Sequence, residues 1–154
     1  MKETLPDTIR TVVDDVCREA GVVCISADLR GQAKQLILDI VIDTIDGIRH
    51  EHCTAVSRGI DARLENDPFA GRLRAVDVSS PGADTPVKHL WQLQRSEGRM
   101  VHVVCTNGQV EEGTLLRVLE NALEVQPSRK KNETKPPITI SESEIAEARV
   151  VIQF

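Results

Sequence analysis

The densest set of side chains able to do chemistry is the run His50-Glu51-His52-Cys53. Two imidazoles, a carboxylate and a thiol are all metal-ligand types. Their spacing argues against a site. The run opens a helical pattern, and side chains two apart on a helix do not face each other. No Cys pair or further His returns at a zinc spacing, so no metal is expected. Asp39, Asp43 and Asp46 form a second group. Paired carboxylates do acid–base work when burial splits their pKa values; on an alternating strand they read as a solvated face. His89 and His102 stand alone and read as ordinary surface histidines. The glycines make neither G-x-G-x-x-G nor a P-loop, and no serine stands in a nucleophile elbow. No cofactor is expected, and no nucleophile, base and metal assemble into an enzyme.

What remains is charge. Arg129-Lys130-Lys131, with Lys135 near, is the one concentrated positive run, suited to RNA phosphates or simply to a soluble loop. Arg72, Arg74 and Lys88 could add a weaker positive area. The 154 residues carry 19 Lys+Arg against 24 Asp+Glu, a formal charge of −5 with His neutral. Residues 1–86 hold 10 basic and 15 acidic side chains, and residues 87–154 hold 9 of each. An acidic total disfavours a large basic nucleic-acid surface. Three aromatics (Phe69, Trp91 and Phe154) are too few for a base-stacking platform, and Trp91 is expected to pack between domains. No apolar run is long enough to span a membrane, and the first residues lack the order of a signal peptide. Cys17, Cys24, Cys53 and Cys105 form no C-x-x-C pair and read as buried free thiols of a reducing compartment.

The elements that must carry these residues follow from periodicity. Leu5, Ile9, Val12, Val13, Val16, Cys17 and Ala20 make one helical stripe, with Thr4 and Asp7 as a capping box, Pro6 in the first turn and Gly21 as the stop. Val22 to Leu29 and Leu36 to Asp43 read as a hairpin of strands, with Leu36, Leu38, Ile40 and Ile42 on one face. From His50 the period turns helical again, on Cys53, Val56, Ile60 and Leu64, until Asn66-Asp67-Pro68. A third strand holds Leu73, Ala75, Val76 and Val78. Ser79-Ser80-Pro81-Gly82-Ala83-Asp84-Thr85-Pro86 then stops any element, which places a domain boundary near residue 86. Gly82 is expected to need a glycine-friendly backbone conformation. Beyond it, one helical turn at Leu90 to Leu93 precedes short strands at 99–105, 110–119, 122–125, 138–140 and 148–152. Asn107-Gly108 marks a hairpin and Gly113 a bulge or sharp bend. The expected fold class is α+β in two small domains. Residues 1–86 form a two-layer α/β domain of the K-homology kind, and residues 87–154 an SH3/Sm-like β-barrel whose closure removes its edges.

The run Val76-Asp77-Val78-Ser79-Ser80-Pro81-Gly82-Ala83-Asp84-Thr85-Pro86-Val87-Lys88 resembles the signature of the bacterial ribosome maturation factor family RimP, matching at Ser79, Ser80, Pro81, Gly82, Asp84, Pro86 and Lys88. Asp43, Gly47, Cys53, Val56, Ser57 and Arg58 are similar to a second family pattern, Gly98-Arg99 to a third. The close from Ile145 to Phe154 is similar to the family's ending. Ala83, Thr85 and Val87 depart from the usual leucine, arginine and leucine; Arg49, His50, His52 and Arg74 also depart. The missing arginine at position 85 removes a bidentate donor. The resemblance implies a cytoplasmic, non-enzymatic assembly factor for the small (30S) ribosomal subunit. It also implies binding to immature subunits and to a basic ribosomal protein near the decoding centre. On that reading Asp28, Asp39, Asp43 and Asp46 are candidates for the ribosomal-protein face. Arg129, Lys130, Lys131 and Lys135 are candidates for rRNA contact, and a monomer is expected. A general RNA-binding or RNA-chaperone adaptor is the alternative, by analogy of fold alone.

Overall fold

The computed structural model describes residues 4–128 and 135–152. The chain divides into two compact units, Met1–Pro81 and Gly82–Phe154, so the division falls inside the Ser-Ser-Pro-Gly run.

In the first unit, helix α1 (Asp7–Glu19) starts without the expected capping box: no side chain caps it. Pro6 stands at the cap position instead, and its carbonyl accepts from the amides of Ile9 and Arg10. Its ring presets φ for the entry to the helix. The helix ends where the sequence places the stop. The Val22 amide donates to the Cys17 carbonyl at 3.0 Å and the Gly21 amide to the Arg18 carbonyl at 3.1 Å, with Gly21 at φ 75°. That is a Schellman ending, which a glycine adopts without a Cβ penalty. Strands β1 (Val23–Arg30) and β2 (Leu36–Asp43) pair antiparallel. The pairing slips between Cys24 and Ser26, which is why Val22-Val23-Cys24-Ile25 does not alternate.

Helix α2 (His50–Leu64) supplies the long crossover that a parallel pairing requires. After it a 3-10 turn (Pro68–Arg72), capped by the Asp67 carboxylate on the Phe69 amide, feeds strand β3 (Leu73–Ser79). That strand lies parallel to β2, giving the sheet order β1-β2-β3. Ile9, Val13, Val16 and Cys17 of α1, Val56, Ile60 and Leu64 of α2, and the even face of β2 form one buried core. Cys17 is buried and Cys24 half-buried. The Cys17 thiol is held protonated well above its usual range, first by its hydrogen bond with Cys24 and then by burial.

The second unit opens with a 3-10 turn (Leu90–Ser96), followed by β4 (Met100–Cys105), β5 (Val110–Val118), β6 (Ala122–Pro127), β7 (Ile138–Ser141) and β8 (Ile145–Val150). The strands are near where alternation puts them, but the expected barrel does not form. Among the described residues the sheet is open, in the order β7-β6-β5-β4-β8. A three-residue 3-10 turn, Glu142–Glu144, carries the chain from one edge of the sheet to the other. β7 therefore spends its ladder on β6 and β8 spends its ladder on β4. The two consecutive strands do not pair, so closure is not reached. Edge exposure is limited instead by the shortness of β7, four residues.

Gly113 is not a bulge: the slip in the β5–β6 ladder lies between Leu115 and Arg117. Gly113 is needed for a close approach, since a Cβ there would sit 2.1 Å from the Gln126 carbonyl oxygen. Leu93, Val101, Val103, Leu115, Leu123 and Val125 are fully buried and form the second core.

Candidate functional site

The acidic residues singled out in the first unit meet different fates. Register aligns Asp28 of β1 with Asp39 of β2, and Asp39 with Asp77 of β3. Three carboxylates thus stand in one row across the sheet. Like charges directly opposite each other on neighbouring strands are destabilising. The row is held by Arg30, whose Nε donates to Asp39 at 2.6 Å and whose Nη2 donates to Asp77 at 2.8 Å. The hydrogen bond from Arg30 to Asp39 raises the guanidinium pKa further, and Asp77 adds to it. One cation against three anions leaves the row net negative. All four side chains are well exposed or half-exposed, so these pairs orient charge more than they stabilise the fold.

Asp46 is exposed, in the turn after β2. Asp43 is different: it is 1% exposed and its Oδ1 accepts from the Thr44 amide at 2.8 Å. It organises the end of β2 and offers little surface to a partner. Asp77 was missed by the sequence reading. It sits between Val76 and Val78, and only the parallel register of β3 brings it beside Asp39. Asp39 and Asp77 also line an open groove of about 640 Å³, with Cys53, Ser57 and Arg58 of α2 on the other side.

The histidine run does not converge. The His52 Nδ1 accepts from the Arg49 amide at 2.9 Å, closing the start of α2, while His50 lies 3.5 Å from Thr54. His102 pairs with Glu112 across β4 and β5 at 2.8 Å. Among the described residues no three His, Cys, Asp or Glu side chains are grouped to hold a metal. No described helix is long and apolar enough to cross a membrane.

Of the basic candidates, Arg129, Lys130 and Lys131 lie outside the described residues. Lys135 is exposed and its backbone carbonyl accepts from Gln126 Nε2 at 2.7 Å, which ties it to β6. In the signature run, Ser79 ends β3, and Ser80, Gly82, Asp84, Pro86 and Lys88 are exposed, with Pro81 half-buried. Gly82 does not have the left-handed backbone expected of it. Its constraint is local: an added Cβ would meet Thr85 Oγ1 at 2.6 Å, and the Thr85 amide donates to the Gly82 carbonyl. The departing residue at position 85 therefore touches the glycine beside it. The Lys88 and His89 amides both donate to Oε1 of buried Gln92 at 2.9 Å. Trp91 stacks on His89, ring centroids 5.8 Å apart.

What these residues build is a charged surface on a two-unit α+β chain. Residues 12–84 match the RimP N-terminal domain. The ribosome maturation factor RimP of Chlorobium chlorochromatii is 40% identical over 88 residues, which cover 56% of this chain and 49% of that protein. The ribosome maturation factor RimP of Chlorobium limicola is 33% identical over 110 residues, covering 69% of this chain and 62% of that protein. The chain thus spans between about half and under two thirds of the length of these relatives. It belongs to the RimP ribosome maturation factor family.

Proposed function

We propose that this chain is a non-catalytic maturation factor for the small ribosomal subunit, acting in the cytoplasm. Its first unit would present an acidic face to a basic ribosomal protein of the decoding region. The basic residues Arg129, Lys130 and Lys131, with Lys135, would lie along rRNA of the immature subunit. Family membership carries the assembly role. The row Asp28–Asp39–Asp77 carries the acidic face: a fold that aligns three like charges keeps a potential that a cationic partner relieves. Arg30 fixes two of the three carboxylates in place and so preorganises the surface. Asp46 extends the same charge beyond the end of β2. The Ser79 to Lys88 signature, within which the chain divides into its two units, is part of this reading.

Gradient co-sedimentation of the tagged chain from growing cells, at low and moderate salt, tests the role. Enrichment on immature small subunits that survives moderate salt and is absent from full ribosomes is the expected result. Spread over all RNA-containing fractions with loss at moderate salt would overturn it in favour of a general RNA-binding adaptor.

A further inference from the structure

We propose that a pocket in the second unit, built around Trp91, binds an arginine side chain presented by a basic protein segment. The inference rests on the protein-partner reading above and gives that partner a second contact, in a different unit from the acidic row. The pocket encloses about 390 Å³. Its wall is the stacked pair His89 and Trp91, two nearly parallel aromatic rings with planes only 9° apart. Leu90, Val118 and Leu119 supply apolar sides, and Glu120 and Glu142 supply two carboxylates.

Both glutamates are exposed, and among the described residues no ion pair or side-chain hydrogen bond engages either carboxylate. The parts are held before any ligand arrives. Gln92 accepts from two amides and fixes the turn that carries the rings. The Leu119 amide donates to the Ala122 carbonyl at 2.8 Å, closing the turn that carries Glu120. The Glu142 amide donates to the Asn121 carbonyl at 2.8 Å, tying the second carboxylate to the same turn.

The chemistry selects the occupant. A planar guanidinium stacks on an aromatic face and gives a carboxylate two parallel donors. An ammonium offers a point charge and no plane, so lysine fits less well. A nucleotide base would also stack, but its phosphate would meet two carboxylates, and no Lys or Arg lines the pocket to offset them.

The chain holds one tryptophan, so its emission reports this pocket directly. The full chain is titrated with a blocked Gly-Arg-Gly peptide, and with its citrulline and lysine counterparts, to concentrations on the order of millimolar. A saturable change in Trp91 emission is expected with arginine, weaker with lysine and absent with citrulline. The double variant Glu120→Gln with Glu142→Gln should bind arginine at least about tenfold more weakly, at an unchanged urea midpoint. Equal responses to arginine and citrulline, no saturable response, or saturation by an oligoribonucleotide instead would each overturn the proposal. Purified basic ribosomal protein that binds wild type and double variant alike, with Trp91 emission unmoved, would overturn the pocket and leave the acidic face standing. Saturation by the arginine peptide, with no binding of that ribosomal protein at low salt, would support the pocket and remove the partner reading.

Discussion

At Gly113 the partner strand leaves no room for any side chain. The Cβ of an alanine would stand 2.1 Å from the Gln126 carbonyl oxygen and 2.8 Å from Pro127 Cα, both backbone atoms that cannot swing away. Gly113→Ala should cost about 1–3 kcal/mol, as overpacking does. Gly71, which has open space around its Cβ position and no left-handed backbone, is the control. Gly71→Ala should stay within about 0.5 kcal/mol. Urea melts of the two variants check the contrast, and equal losses would refute it. The sequence marked Gly113 as unusual in a strand, but the cause lies in β6. At Gly82 the sequence suggested a special backbone, whereas the structure shows an ordinary one crowded by Thr85. Neither glycine has the reason expected of it: Gly113 is crowded by the neighbouring strand, which lay beyond local reasoning, and Gly82 by Thr85 close by in the chain.

Between elements, α1 and α2 approach closely at Gly59. Gly59 lies mid-helix, where alanine would gain about 1 kcal/mol of intrinsic helix propensity. A Cβ there would instead meet Cγ1 of buried Val16 at 2.7 Å. Gly59→Ala should therefore lower the urea midpoint despite the propensity gain. Adding Val16→Ala should return part of the loss, so that the two changes are not additive. A midpoint raised by Gly59→Ala alone would show that Val16 gives way freely. Helix spans and the Schellman stop at Gly21 were legible because periodicity and capping are local. The slip at Cys24 and Ser26 was visible only as a run that failed to alternate. The sheet edges were misread, since alternation shows which face of a strand is buried and is silent on which strand pairs with which.

Across the whole molecule the charges are sorted by unit, with the excess of acid in residues 1–86. Replacing Asp28 and Asp77 together by lysine reverses the row while leaving the Arg30–Asp39 bond in place. Association with a basic ribosomal protein should slow several-fold at low salt, with the difference shrinking as salt rises. Stopped-flow binding at two ionic strengths measures this, and a salt-independent rate would rule out steering by the row. The Trp91 pocket belongs to the same scale, because Glu120 and Glu142 reach it from separate turns of the second unit.

By itself the sequence determined the helices, the strands, the polar breaks and the family, because these depend on residue spacing and on short runs such as Ser-Ser-Pro-Gly. The tertiary structure decided the parallel placement of β3, the open sheet of the second unit, the row Asp28–Asp39–Asp77 under Arg30, and the company Trp91 keeps. Each of these is a pairing between residues far apart in the chain. Register and edge order follow from how whole faces pack, and a one-residue shift in register would move every side chain of a strand to the other side.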